Sequence, residues 1–204
     1  MASEHELWIR WGRLVRCRIV GPDAVFHGEV SRGYLTRPPA DFSDQDGRTA
    51  FRLGGNRRLA PGSHILESAA GEPLAIFHTK KMAGFADGAV RRVALPHGDD
   101  FMLVPPEAAV SGAANKVRAS LGGRWGVATA GSIVGVLASG DGRPVPPAAR
   151  VRALLEQLGA RVAGIGPQER LAGTLTLDVD LDARICAGLL LYLEFVLTPS
   201  RTPE

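Results

Sequence analysis

Three alternating carboxylates, Asp178, Asp180 and Asp182, and three adjacent cation pairs, Arg57-Arg58, Lys80-Lys81 and Arg91-Arg92, have types and spacings that suit a chemical task. Alternation places the aspartates on one face of a strand, where oxygen ligands would attract a hard cation. As a calcium loop beginning at Asp178 the run fails, because Ala183 stands at the glycine position and Leu189 at that of the bidentate glutamate. Just ahead of an apolar helix, the same carboxylates favour its positive N-terminal end, with Asp182 as the N-cap. The capping reading is preferred, and no metal site is assigned. Each cation pair stands beside a strand end or turn, and adjacent residues of a strand point to opposite faces. Taken singly, the pairs are solvated ends; brought together by hairpins, they would make a phosphate site.

Other constellations are weaker. His5, His27, His64, His78 and His97 are scattered over strands and turns, where a histidine is more often structural than a base or ligand. The chain has no phosphate-binding loop, nucleophile elbow or paired-histidine metalloprotease motif, so catalytic residues and cofactors are not assigned. Trp8 and Trp11 lie among Arg10, Arg13, Arg16 and Arg18, a mixture that could stack on bases or sit at a lipid interface. Packing against a barrel is the simpler expectation for both rings.

The elements that position these residues follow from length and pattern. With 204 residues, 45% hydrophobic and 22% charged, the chain suits one globular domain, 1–204, rather than a disordered or coiled-coil protein. Its +3 net charge, from 24 Lys and Arg against 21 Asp and Glu, does not announce nucleic-acid binding. Cys17 and Cys186 lack zinc or disulfide-framework spacing, and the N-terminus lacks the apolar stretch of a secretory signal, so a cytoplasmic location is expected.

From Val15 to Phe101 short runs of strand character alternate with turn signals. Val15, Cys17 and Ile19 alternate with Arg16 and Arg18; Val25 to Val30, Thr49 to Leu53, His64 to Glu67, Leu74 to Thr79, Val90 to Leu95 and Phe101 to Val104 follow. An acidic loop is expected around Asp41, Asp44 and Asp46. Trp125 to Thr129 and Ser132 to Ala138 form a further hairpin, while Ala108 to Ser120 stays unassigned. Val151, Leu154, Leu155 and Leu158 mark an amphipathic helix over Ala148 to Leu158, and Val162 to Ile165 reads as a strand after it. Ile185 to Leu197 contains one charge, Glu194, and is apolar on every side, so it must be surrounded. It is shorter than the roughly 20 residues a membrane span needs, which points to a protein core.

Strands first and a wholly apolar helix last resembles the tubby C-terminal-like superfamily, which includes LURP-one-related proteins and phospholipid scramblases. Leu177 to Asp182, Arg184 and the apolar helix are similar to the acidic strand end and plug helix of scramblases. Thr49 to Gly55, the strand around Ile65-Leu66 and Gly71 to Ile76 look like the hairpin series of LURP-one-related proteins. The resemblance implies a mainly β fold: a closed antiparallel β-barrel around a buried hydrophobic C-terminal helix. The amphipathic helix, 148–158, would be an addition with no place in that pattern. It further implies a non-enzymatic module binding an anionic phospholipid headgroup or an acidic partner protein, with a peripheral membrane location in the first case. Arg57, Arg58, Lys80, Lys81, Arg91 and Arg92 are the headgroup candidates, although none matches a family phosphate-binding residue. The alternative is a small-molecule or metal-assisted enzyme of α+β type, recognisable by a pocket gathering carboxylates and histidines.

Overall fold

Period-two burial organises the chain. In β1 (Ser3–Arg10) His5, Leu7 and Ile9 are buried between polar neighbours, and in β2 (Leu14–Val20) Val15, Cys17 and Ile19 are buried between Arg16 and Arg18. The same alternation runs through β3 (Val25–Ser31), β4 (Ala40–Ser43), β5 (Thr49–Gly55), β6 (His64–Ser68), β7 (Pro73–Phe77), β8 (Arg91–Ala94) and β9 (Phe101–Val104). Three strands follow: β10 (Trp125–Thr129), β11 (Ser132–Ser139) and β12 (Arg170–Leu177). The computed structural model describes residues 2–10, 14–31, 39–55, 63–78, 90–96, 98–105, 124–129, 132–139 and 169–197. The expected helix over 148–158, the strand over 162–165 and the unassigned stretch 108–120 lie outside them.

All twelve strands form one closed antiparallel barrel in which each pairs with its sequence neighbour and β1 closes the ring on β12. Leu7 faces Gly173 across that closure and Ile19 on its other side. Tight turns explain the short links: Gly47 and Gly71 adopt φ of 77° and 84°, a left-handed backbone that glycine takes without strain. Three strands depart from the expectation, among them β12, whose residues Arg170–Leu177 carry no strand assignment in the pattern. The Trp- and Arg-rich N-terminus is β1, and Ala40–Ser43 within the expected acidic loop is β4, because Ala40 and Phe42 reach the core on either side of Asp41.

β12 ends at Leu177, so Asp178, Asp180 and Asp182 lie beyond the strand, in keeping with the capping reading preferred for them. The backbone N–H of Asp178 donates to the Val134 carbonyl at 2.8 Å, after which the chain turns into α1 (Ala183–Tyr192). A π-helical turn, Leu193–Leu197, completes the expected apolar helix. From Cys186 to Leu193 every residue is fully buried and shares one hydrophobic cluster with the strands. α1 packs on β1 and β12 and also on β5 and β7. Gly188 makes the approach close: a Cβ there would stand 3.1 Å from Phe77 and 3.2 Å from Leu66. Phe42 stacks on Phe51 at 4.8 Å, and Phe26 meets Phe51 edge-on at 5.2 Å. No helix among the described residues is long and apolar enough to cross a membrane.

Candidate functional site

Strict up-and-down order gives the barrel two unlike ends. At one end the strands are joined by 21–24, 44–48, 69–72, 95–100 and 130–131, and 178–182 leads into α1. At the other end the connections are 11–13, 32–39, 56–63, 78–90, 105–124 and 140–169. Binding and catalytic groups concentrate on long connections carried by a rigid scaffold, so the second end is the candidate site.

Of the expected headgroup residues, Arg57, Arg58, Lys80 and Lys81 lie outside the described residues, in segments that join strands at this end. Arg91 and Arg92 begin β8 there and straddle its two faces as expected. Arg92 is exposed and paired with Asp100 at 2.5 Å, an ion pair of roughly 0 to 1 kcal/mol. Arg91 is half-buried and shares the inner face with buried Val93. The alternation of side chains along β8 therefore separates this cation pair.

Next to Arg91 lies a cluster that pattern reading missed. Tyr192, at the end of α1, stacks on Phe77 at 4.9 Å and meets His64 edge-on at 5.8 Å. Its hydroxyl donates to the His78 carbonyl at 3.4 Å, a long bond. Burial pushes the Tyr192 phenol up to about 12, and the Arg91 charge opposes that rise. His64 is 5% exposed, its Nδ1 has no hydrogen-bond partner, and burial holds its pKa below the usual value. The only advance signal was His64 at the inward position of a strand whose next inward residue is Leu66.

Glu194, the single charge in the apolar run, is 3% exposed and stands 4.0 Å from the Arg170 guanidinium. Its charge adds to burial in raising the pKa of the Cys17 thiol, and burial first, then Asp182, pushes Cys186 to about 12. Both thiols are therefore protonated at neutral pH and are poor nucleophiles. The Trp8 ring carries the Arg18 guanidinium at 5.5 Å, while its indole N–H donates to Glu6 at 3.0 Å. Arg18 in turn grips Glu169 through two hydrogen bonds of 3.0 and 2.7 Å. These contacts pack Trp8 on the barrel wall and engage the groups that base stacking would need; Trp11 and Arg13 lie outside the described residues.

At the opposite end, Asp182 caps α1 as expected. Its carboxylate accepts from the Arg184 backbone N–H at 2.8 Å and from the Arg184 guanidinium, which together hold its pKa below the usual carboxylate range. Among the described residues no three His, Cys, Asp or Glu side chains assemble a metal site. No protein-family model, curated protein or solved structure matches this chain.

Proposed function

We propose that this is a non-enzymatic binding module, a tubby-like barrel filled by α1, whose basic end meets anionic phospholipid headgroups. Three features support a filled barrel: the ring is closed, α1 is buried from Ile185 to Tyr192, and it packs on β1 and β12 as well as on β5 and β7, strands on opposite arcs of the ring. The family reading rests on the order of barrel strands followed by an apolar helix and on the motifs named above. The observation that carries the headgroup reading is the placement of Arg91 and Arg92 at the end from which the long connections leave. Segments 56–63 and 78–90, with Arg57, Arg58, Lys80 and Lys81 in their sequence, join strands at that same end. An acidic partner protein is the second possible ligand of the same charge.

The enzyme alternative draws less support. Its α+β element falls in 148–165, outside the described residues, and the polar side chains buried near the end of α1, His64 and Glu194, are not joined by a third carboxylate, histidine or cysteine in a metal-binding group among the described residues. Solvent-side strand residues such as Arg16, Glu29, Arg52 and Arg92 are charged, whereas a membrane-spanning barrel turns an apolar band outward. A peripheral encounter suits that surface.

Co-sedimentation with vesicles tests the reading. Binding is expected to phosphatidylserine or phosphoinositide vesicles, not to neutral ones, and to weaken from low to physiological salt. Near an anionic surface each basic residue contributes about 1 kcal/mol, so Arg91→Glu with Arg92→Glu should weaken binding by about tenfold or more. No binding to anionic vesicles at low salt rejects the lipid ligand, and the search then moves to an acidic protein.

A further inference from the structure

We propose that the chain's own segment 148–158 docks on the outside of the barrel, on an uncharged strip of wall formed by β9, β10 and β11.

The strip follows from strand parity. Leu103, Val127 and Leu137 belong to the core, so Met102 and Val104 on β9, Ala128 on β10, and Val136 and Ala138 on β11 face outward. Pairing makes them neighbours: Met102 is opposite Ala128, Ala128 is opposite Ile133 beyond a bulge, and Gly126 stands between Val104 and Val136. The strip is bounded by Arg92 on β8, opposite Met102, and by Thr174 and Thr176 on β12, opposite Ala138 and Val136. A solvated face of an antiparallel sheet reads polar, as the outer face of β2, β3 and β5 does through Arg16, Glu29 and Arg52. The strip on β9 to β11 does not.

Two alanines show that it is covered. Ala128 and Ala138 are 5% and 6% exposed, yet they point away from α1 and lie outside the hydrophobic cluster that fills the barrel. Among the described elements, β10 packs on β9 and β11, and β11 packs on β10, on β12 and on the π-helical turn, whose Leu193 approaches Gly173 on the inner face. None of these stands over the outer face.

Size and pattern identify the cover. Three strands spaced about 4.8 Å apart make a strip roughly 10 to 15 Å wide, the width of one α-helix. With the five residues of β10 giving it a length of about 17 Å, its area is far below the roughly 800 Å² per partner of a stable dimer. Segment 148–158 carries an apolar stripe, Val151, Leu154, Leu155 and Leu158, opposite Arg150, Arg152, Glu156 and Gln157. As a helix it would be about 16 Å long, which matches the strip. α1 already fills the interior, so the outer wall is where that stripe can be buried. The segment belongs to the connection from β11 to β12, and residues 140–147 can span up to roughly 26 Å from the strand that carries Ala138. A helix seated there is an addition to the outside of a barrel rather than a layer of an α+β enzyme.

Cross-linking in the full chain tests the docking. Val136→Cys is combined in one protein with Leu154→Cys, on the apolar stripe, and in another with Gln157→Cys, on the polar face, and each is treated with a short thiol-to-thiol reagent. Cys17 and Cys186 are buried, and the parent protein corrects for any reaction there. The expected result is an intramolecular link to position 154, mapped by mass spectrometry, that forms several-fold faster than the link to position 157. Equal rates at the two positions, or no link at either, overturn the proposal. Links between molecules alone would assign the strip to a second copy and overturn it too. Independently, Leu154→Asp with Leu155→Asp should uncover the strip and raise the fluorescence of a hydrophobic dye several-fold while cooperative melting persists. Unchanged fluorescence overturns the proposal, and so does loss of cooperative melting, which would place these leucines in the barrel core.

Discussion

At the residue scale, His64 is a buried imidazole kept neutral by its surroundings. The unfolded chain takes up its proton near pH 6.5, while the folded protein resists until the pH is lower. Stability that His64 allows above pH 6.5 is therefore lost progressively as pH falls below that value. His5 shifts in the same direction through burial, partly opposed by Asp23. We expect urea midpoints of the wild-type protein to drop between pH 7 and pH 5, and His64→Phe to flatten part of that drop. Parallel curves for the two proteins would show that His64 does not carry the effect. Little of this was legible in advance. His64, Phe77 and Tyr192 meet through strand pairing and helix docking, and no local periodicity states which strand end will face the last turn of a distant helix. Arg91 and Arg92 were legible, because strand parity alone sends adjacent side chains to opposite faces.

At the element scale, α1 provides the most demanding packing. Leu190 is fully buried beside Gly173, where an added Cβ would lie 3.4 Å from its side chain. Leu190→Asp buries a carboxylate with no counter-charge designed for it, and we expect loss of cooperative folding by near-UV circular dichroism. Leu190→Ala should fold and lose about 2 to 5 kcal/mol in chemical denaturation. A soluble Leu190→Asp protein with a sharp melting transition would contradict the burial of α1. This helix could be read from sequence because apolarity on every side has one physical solution, enclosure. β1 was harder: His5, Leu7 and Ile9 alternate with Glu4, Glu6 and Trp8, but two tryptophans among arginines drew attention to surface chemistry instead. Asp178 to Asp182 were legible as a helix entry, because carboxylates just ahead of an apolar helix favour its N-terminal end. Their alternation continues the period of β12, whereas the chain there must reverse direction and enter α1, and Asp182 serves that reversal as a cap.

At the scale of the whole molecule, closure depends on one strand. β1 pairs with β12 on one side and β2 on the other, so removing residues 2–10 leaves both neighbours with unpaired backbone edges. We expect a chain lacking 2–10 to aggregate or to show no cooperative melting. A monomeric, cooperatively melting truncation would mean that the ring tolerates an open seam. The barrel architecture was legible in kind from the spacing of strands and turns, while its closure was expected through the family resemblance alone, because the seam joins β1 and β12, whose residues carry no strand assignment in the pattern. The seam also bears on how the protein is made. Every other strand pairs with a neighbour that leaves the ribosome next to it, so hairpins can form as they emerge. Glu4 must wait for Thr176, and α1 emerges only after that. β1 thus keeps an open edge until β12 has been made, and that interval is when the nascent chain most needs protection by a chaperone.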